Sequence, residues 1–286
     1  MPTESPIVFP PIAQIVRDFE WLLSCPPLLS SSNSISTDVT QPLPDEKAIG
    51  PVRAFLESRA SYRVGYYVES LIEVWLRQFP DVEHLKHAVQ LQNDRRTVGE
   101  LDFLFQREGE LRHLEVAVKF YLYLGDEETE GSRFPGPNAT DNFEKKRDKI
   151  LGQQIPLGKK YFPDIARGEV VMKGMIFMPP GVTSISDPPE GLNPDHRAGI
   201  WIRESEIGWI VESSGAAFGG TLEKPYWLSG LSAEGESVGM PISDLIDRIR
   251  EHFSEKKHPL LLSLADSDGN EVHRVFVVAD HWPQVD

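Results

Sequence analysis

Apolar residues recur every three to four positions from Ile12 to Leu23, with Ile12, Ile15, Val16, Phe19, Leu22 and Leu23 on one side. That period marks an amphipathic helix, and Pro26-Pro27 stops it. Ser30 to Gly50 is polar and serine-rich, without period, and reads as a flexible surface connector. A second helical period lies within Val52 to Phe79, strongest at Val64, Val68, Leu71, Val74, Trp75 and Leu76, and ends at Pro80. The pattern then shortens to two: strands are expected over His87–Gln92, Glu100–Gln106 and Leu111–Tyr123, paired as an antiparallel meander with a tight turn at Arg107 to Glu110.

Gly125 to Thr140 is rich in Gly, Pro and acid and reads as a loop. A helix follows over Asp141–Gln154, capped by Asn138, Thr140 or Asp141, with a basic run at Lys145, Lys146, Arg147 and Lys149. Glu169–Met178 is a strand by its Val, Ile and Met content. Farther on, short strands are expected over Gly199–Arg203 and Gly208–Glu212, then an amphipathic helix over Pro241–Phe253, then a hairpin of Pro259–Ala265 and Glu271–Ala279. The expected division is residues 1–50 as N-terminal helix and connector, 51–180 as core, and 181–286 as a C-terminal α+β extension packed on that core.

Composition excludes more than it assigns. A single cysteine, Cys25, permits neither an internal disulfide nor a thiolate zinc cluster, which points to a reducing, cytoplasmic setting. No apolar run is long enough to cross a membrane and no secretory leader is evident. Forty-four acidic against twenty-nine basic side chains give a net charge of −15, so the chain does not coat nucleic acid by bulk charge, and any phosphate contact must be local. Oligomeric state is not legible.

The chemistry concentrates in the meander. Glu100 and Asp102 share one face of their strand, and Glu115, Ala117 and Lys119 share one face of the next. Carboxylates on adjacent strands converge on a hard divalent cation, and a neighbouring lysine stabilises developing charge. The order of helix, three-strand meander, helix and strand, with Asp102 and then Lys119, resembles the PD-(D/E)xK nuclease superfamily and its restriction-endonuclease-like core. Ala117 stands where that signature has its second acid, and Glu115 lies one strand repeat before it. The resemblance implies Asp102 and Glu115 as ligands of magnesium, with manganese as a substitute. It also implies Lys119 as the catalytic lysine, with Glu69 and Gln153 (or Gln154) as helper groups; Glu100, on the Asp102 face, and Lys149, in the basic run, are further helper or substrate-binding candidates. The activity implied is magnesium-dependent hydrolysis of nucleic acid; the alternative is an inactive nuclease-fold module that binds nucleic acid or protein. Over nearly its full length the chain also resembles an uncharacterised bacterial family, domain of unknown function 1853. That likeness is carried by Phe19-Glu-Trp-Leu-Leu-Ser-Cys-Pro-Pro-Leu28, Gly99-Glu-Leu-Asp102, Glu115-Val-Ala-Val-Lys119, Gly136-Pro-Asn138 and Phe276-Val-Val-Ala-Asp-His-Trp-Pro283.

Other motifs carry less. Gly215 to Thr221 has the glycine spacing of a phosphate loop without its lysine, and Asp266, Asp268 and Asn270 read as a hairpin turn rather than a calcium loop. The eight histidines show no paired ligand spacing.

Overall fold

The computed structural model describes residues 12–33, 49–50, 53–54, 63–94, 96–231 and 239–284. Most of the expected Ser30 to Gly50 connector lies outside them. The chain is a mixed α/β protein built on one nine-stranded mixed sheet of order β1-β2-β3-β4-β5-β9-β8-β6-β7. In the first part, helices α1 (Ile12–Ser24) and α2 (Val64–Arg77) precede β1 (Val82–Asn93), β2 (Arg96–Arg107) and β3 (Glu110–Leu122). Then come α3 (Phe143–Lys149), a π-helical turn (Ile150–Gln154), α4 (Ile155–Tyr161) and β4 (Ile165–Met178). The last part holds β5 (Arg197–Arg203), α5 (Gly208–Ser213), β6 (Phe218–Thr221), β7 (Met240–Pro241), α6 (Ile242–Glu255), β8 (Leu260–Ala265) and β9 (Glu271–Val278).

The expected meander forms: β1 pairs antiparallel with β2, and β2 with β3. Its second turn places Glu108 at φ 54° and Gly109 at φ 77°, the two left-handed residues that a two-residue hairpin turn requires. A crossover through α3 and α4 then returns the chain as β4, parallel to β3. Beyond residue 180 the chain continues the same sheet, with β5 parallel to β4 and β9 parallel to β5.

Apolar stripes decide which helix covers which face. Ile15, Phe19 and Leu22 of α1 and Val68, Leu71, Ile72 and Trp75 of α2 bury into one cluster with Phe103, Leu114, Val116 and Phe276. The opposite face packs Phe143 and Ile150 onto Ala117, Tyr121, Met172 and Ile176, and farther along packs α6 onto Leu262, Leu264, Val275 and Val277. Each buried Leu, Ile or Phe contributes about 1.5–3 kcal/mol, so both layers are required. The first helix is tied to the C-terminal half by polar contacts as well. Asp18, fully buried, accepts from the Tyr67 hydroxyl at 2.7 Å, from Gln14 at 3.1 Å, and from the Ser229 amide and hydroxyl at 2.8 and 2.6 Å.

Three local expectations are corrected. Gly208–Ser213 is a helical turn rather than a strand, continuing the 3₁₀ turn at Glu204–Glu206 that Glu206 caps by accepting the Arg203 amide at 2.8 Å. The crossover helix is capped by Asn142, whose side chain accepts the Lys145 amide at 2.8 Å, not by Asn138, Thr140 or Asp141. It also continues past Gln154 to Tyr161, because Pro156 falls at the start of a new α segment where its missing N–H costs least. Among the described residues no helix is long and apolar enough to cross a membrane.

Candidate functional site

The site lies where β2 and β3 part. Their ladder runs from Arg107–Glu110 to Phe103–Leu114, while β2 stays paired with β1 as far as Asn93–Arg96. At the parting Asp102 Oδ2 accepts the Val116 N–H at 2.8 Å, standing in for a strand carbonyl. Asp102 and Glu115 are the residues that follow the last ladder pair, Phe103 with Leu114, on their two strands, and the Glu115 charge acts on Asp102. Ala117 lies beyond that point, buried in the apolar cluster beneath the crossover helix. The displaced acid therefore acts on Asp102, and the residue at the usual position does not.

Burial holds the Asp102 carboxyl up at about 7, and the negative charge of Glu115 adds to it; the Val116 amide pulls it down, Glu69 pushes it up and Lys146 lowers it slightly. Glu115 is 1% exposed. Its Oε1 is hydrogen-bonded to His113 Nε2 at 2.7 Å, and its Oε2 accepts from the Gln154 amide. His113 sits against Gly158, where a Cβ would come within 2.3 Å of the ring, so the glycine admits the imidazole that orients Glu115. Glu69 reaches from α2 to His87 Nε2 at 3.0 Å, and the His87 ring stacks on Phe103 at 4.8 Å. That bond to Glu69 raises the His87 pKa, against the lowering effect of burial.

The lysines are arranged differently from the expectation. Lys119 Nζ donates to Asp141 Oδ2 at 2.5 Å, so its charge is shared with the loop before α3. Within the basic run, Lys145 pairs with Glu130, Arg147 bonds Asp148 and the Glu190 carbonyl, and Lys149 is exposed. Lys146 feels both Asp102 and Glu115; burial lowers its pKa first, Lys119 lowers it further, and the two carboxylates hold it up. Glu100 is exposed opposite Gln90, and Gln153 is exposed, so neither joins Asp102 and Glu115.

Sequence reasoning missed His87, His113 and Asp141, and within the basic run singled out Lys149 rather than Lys146. His113 carried a readable signal, since residues two apart on a strand share a face. Gln154 replaces Gln153 because the π turn adds a residue to that part of the helix and changes which amide points inward; such insertions cluster at functional sites.

Among the described residues no three His, Cys, Asp or Glu side chains gather closely enough to hold a metal ion by themselves. Of the two carboxylates, Asp102 engages one oxygen with the Val116 amide and Glu115 both of its oxygens with His113 and Gln154; magnesium keeps several waters and takes one or two carboxylates plus substrate phosphate. Comparison with known proteins gives one finding: the model of a family described as Domain of unknown function (DUF1853) matches residues 17–278. No curated protein and no solved structure matches the chain.

Proposed function

The chain belongs to the DUF1853 family, and from the geometry of its site we propose that it hydrolyses phosphodiester bonds of nucleic acid with a divalent cation. One observation carries the reading: Asp102 and Glu115 are held side by side at low solvent exposure, so that the Asp102 proton is retained up to about pH 7. Two carboxylates kept in such proximity are poised to exchange that proton for a cation. Magnesium, or manganese in its place, would be held by Asp102 and Glu115 and would supply Lewis-acid activation of water and phosphate. His113 and Gln154 keep Glu115 in position. Glu69, bonded to His87, acts on Asp102 through its charge and would orient water beside it. Lys146 and Lys119 offer positive charge to the phosphoryl oxygens.

A second reading is a silent nucleic-acid or protein binding module. It is favoured by the engagement of both Glu115 oxygens and by the Lys119–Asp141 pair.

Titration calorimetry with magnesium and with manganese separates the two. The first reading predicts binding that releases close to one proton per cation near pH 6, about half near pH 7 and close to none by pH 8, read from the heats in two buffers of different ionisation enthalpy. The sign follows from the raised Asp102 carboxyl: the proton is present below about pH 7 and must leave for the cation to bind. No binding at any pH between 6 and 9 leaves the silent module.

A further inference from the structure

Past the parting of the strands, β3 has an edge that β2 does not cover. The Val116 amide is taken by Asp102 and the Leu122 amide by the Pro135 carbonyl at 2.9 Å. Between them Val118 and Phe120, whose N–H groups point the same way by the two-residue period of a strand, line a cavity of about 300 Å³. Its other walls come from separate parts of the chain: the Gly136 to Asp141 loop, the start of α2 at Arg63 and Val64, and the loop carrying Lys224 and Trp227.

Two kinds of surface meet there. Lys119, Lys224 and Arg63 bring positive charge, against which Asp141 is the carboxylate among the described lining residues, already bonded to Lys119. Lys224 Nζ lies 4.5 Å from the centre of the Trp227 ring, so charge and an aromatic wall adjoin. Val118, Phe120 and Trp227 make the rest of that wall apolar. Strand amides, ammonium groups and a guanidinium suit a phosphate, and an adjoining apolar aromatic wall suits a flat ring attached to it.

We infer that this cavity is a site for a nucleoside monophosphate group, either the phosphorylated end of a nucleic-acid strand or a free mononucleotide. Its phosphate meets Lys119, Lys224 and Arg63, and its base lies against Trp227. The inference rests on the phosphodiesterase reading and gives it a subsite. Glu115 and Lys119 stand four residues apart on β3, roughly 13 Å, so a strand end seated here leaves its next linkages near Asp102 and Glu115.

Fluorescence anisotropy in EDTA, where no cleavage occurs, tests it. The probes are a labelled oligothymidylate bearing a 5′-phosphate, a 3′-phosphate or neither, and unlabelled 2′-deoxyadenosine 5′-monophosphate is the competitor. The proteins are the unmodified chain, the double variant Arg63→Gln with Lys224→Gln, and Lys257→Gln as a control, since Lys257 pairs with Glu204 well away from the cavity. The expected result is about tenfold tighter binding of one phosphorylated end, competed by the mononucleotide, lost in the double variant and kept in the control. Preference for a phosphorylated oligonucleotide identifies the strand end; binding of the mononucleotide alone identifies the free nucleotide. Equal affinity for all three oligonucleotides without mononucleotide binding overturns the inference, as does full affinity in a folded double variant. Cation-dependent cleavage with neither end preference nor mononucleotide binding sinks only the cavity assignment, while end preference or mononucleotide binding without cleavage sinks only the phosphodiesterase reading.

Discussion

Asp102→Asn is expected to abolish cation-dependent cleavage of nucleic acid, by at least about a thousandfold, while leaving a protein more stable than the original in EDTA above pH 7. The first effect follows from removing one of the two carboxylates proposed to hold the cation, whose transition-state contribution is several kcal/mol. The second follows from linkage. In the cation-free protein the Asp102 carboxyl sits at about 7 against 3.8 for an ordinary aspartate. Between those values the folded chain binds more protons at this group than the unfolded chain does, so stability falls as pH rises from about 4 to about 7 and stays reduced above. Asparagine carries no charge to repel Glu115 and still offers an oxygen to the Val116 amide. It should remove that pH-dependent loss and recover about 2–4 kcal/mol at pH 8. Cleavage assays with magnesium and manganese, paired with urea unfolding in EDTA from pH 4 to 8, check both halves. A variant that cleaves normally, or that loses stability at pH 8, contradicts the role given to Asp102. Gain of stability with loss of activity is the signature of a site kept under strain for function.

Asp18→Ala is expected to destabilise the chain by about 3–5 kcal/mol, the largest loss predicted for a single substitution. Burial raises the Asp18 carboxyl, and the Ser229, Tyr67 and Gln14 donors pull it back. Removing the carboxylate leaves those donors inside the protein without their acceptor, each at a cost of about 1–3 kcal/mol, and adds a cavity. Because these donors come from α1, α2 and the loop after β6, the loss should appear as one lowered cooperative transition rather than as fraying of the first helix. Chemical denaturation followed by far-ultraviolet circular dichroism and by tryptophan fluorescence tests this. Coincident curves shifted to lower denaturant are expected; separated curves, or a shift below about 1 kcal/mol, would show that the network is dispensable.

The parts of the fold that local periodicity controls were legible from the residues. α1, the second half of the long helical period, the meander, β4 and the final hairpin all follow apolar spacing that burial enforces in the structure. The helix at Gly208 was not, because Trp209, Ile210 and Val211 favour a strand and only the preceding 3₁₀ turn decides otherwise. Of the site, Asp102 and Glu115 were singled out by strand alternation together with the resemblance to the nuclease signature. The pairing of Lys119 with Asp141 depends on a loop path that no pattern encodes. His87 and Glu69 meet across elements eighteen residues apart, and Gln154 is selected by a helical irregularity, so tertiary geometry rather than spacing determines both. Lys146 was hidden in a charge run whose other members face solvent or carboxylates of their own.

The proposed phosphodiesterase reading depends on one cation binding between Asp102 and Glu115. Crystals soaked in manganese chloride at pH 8, measured on both sides of the manganese absorption edge, locate it directly. The expected result is a single anomalous peak about 2.1 Å from an oxygen of each carboxylate, with Glu69 and Lys146 around it. A protein saturated with manganese whose only peaks lie elsewhere would contradict the assignment.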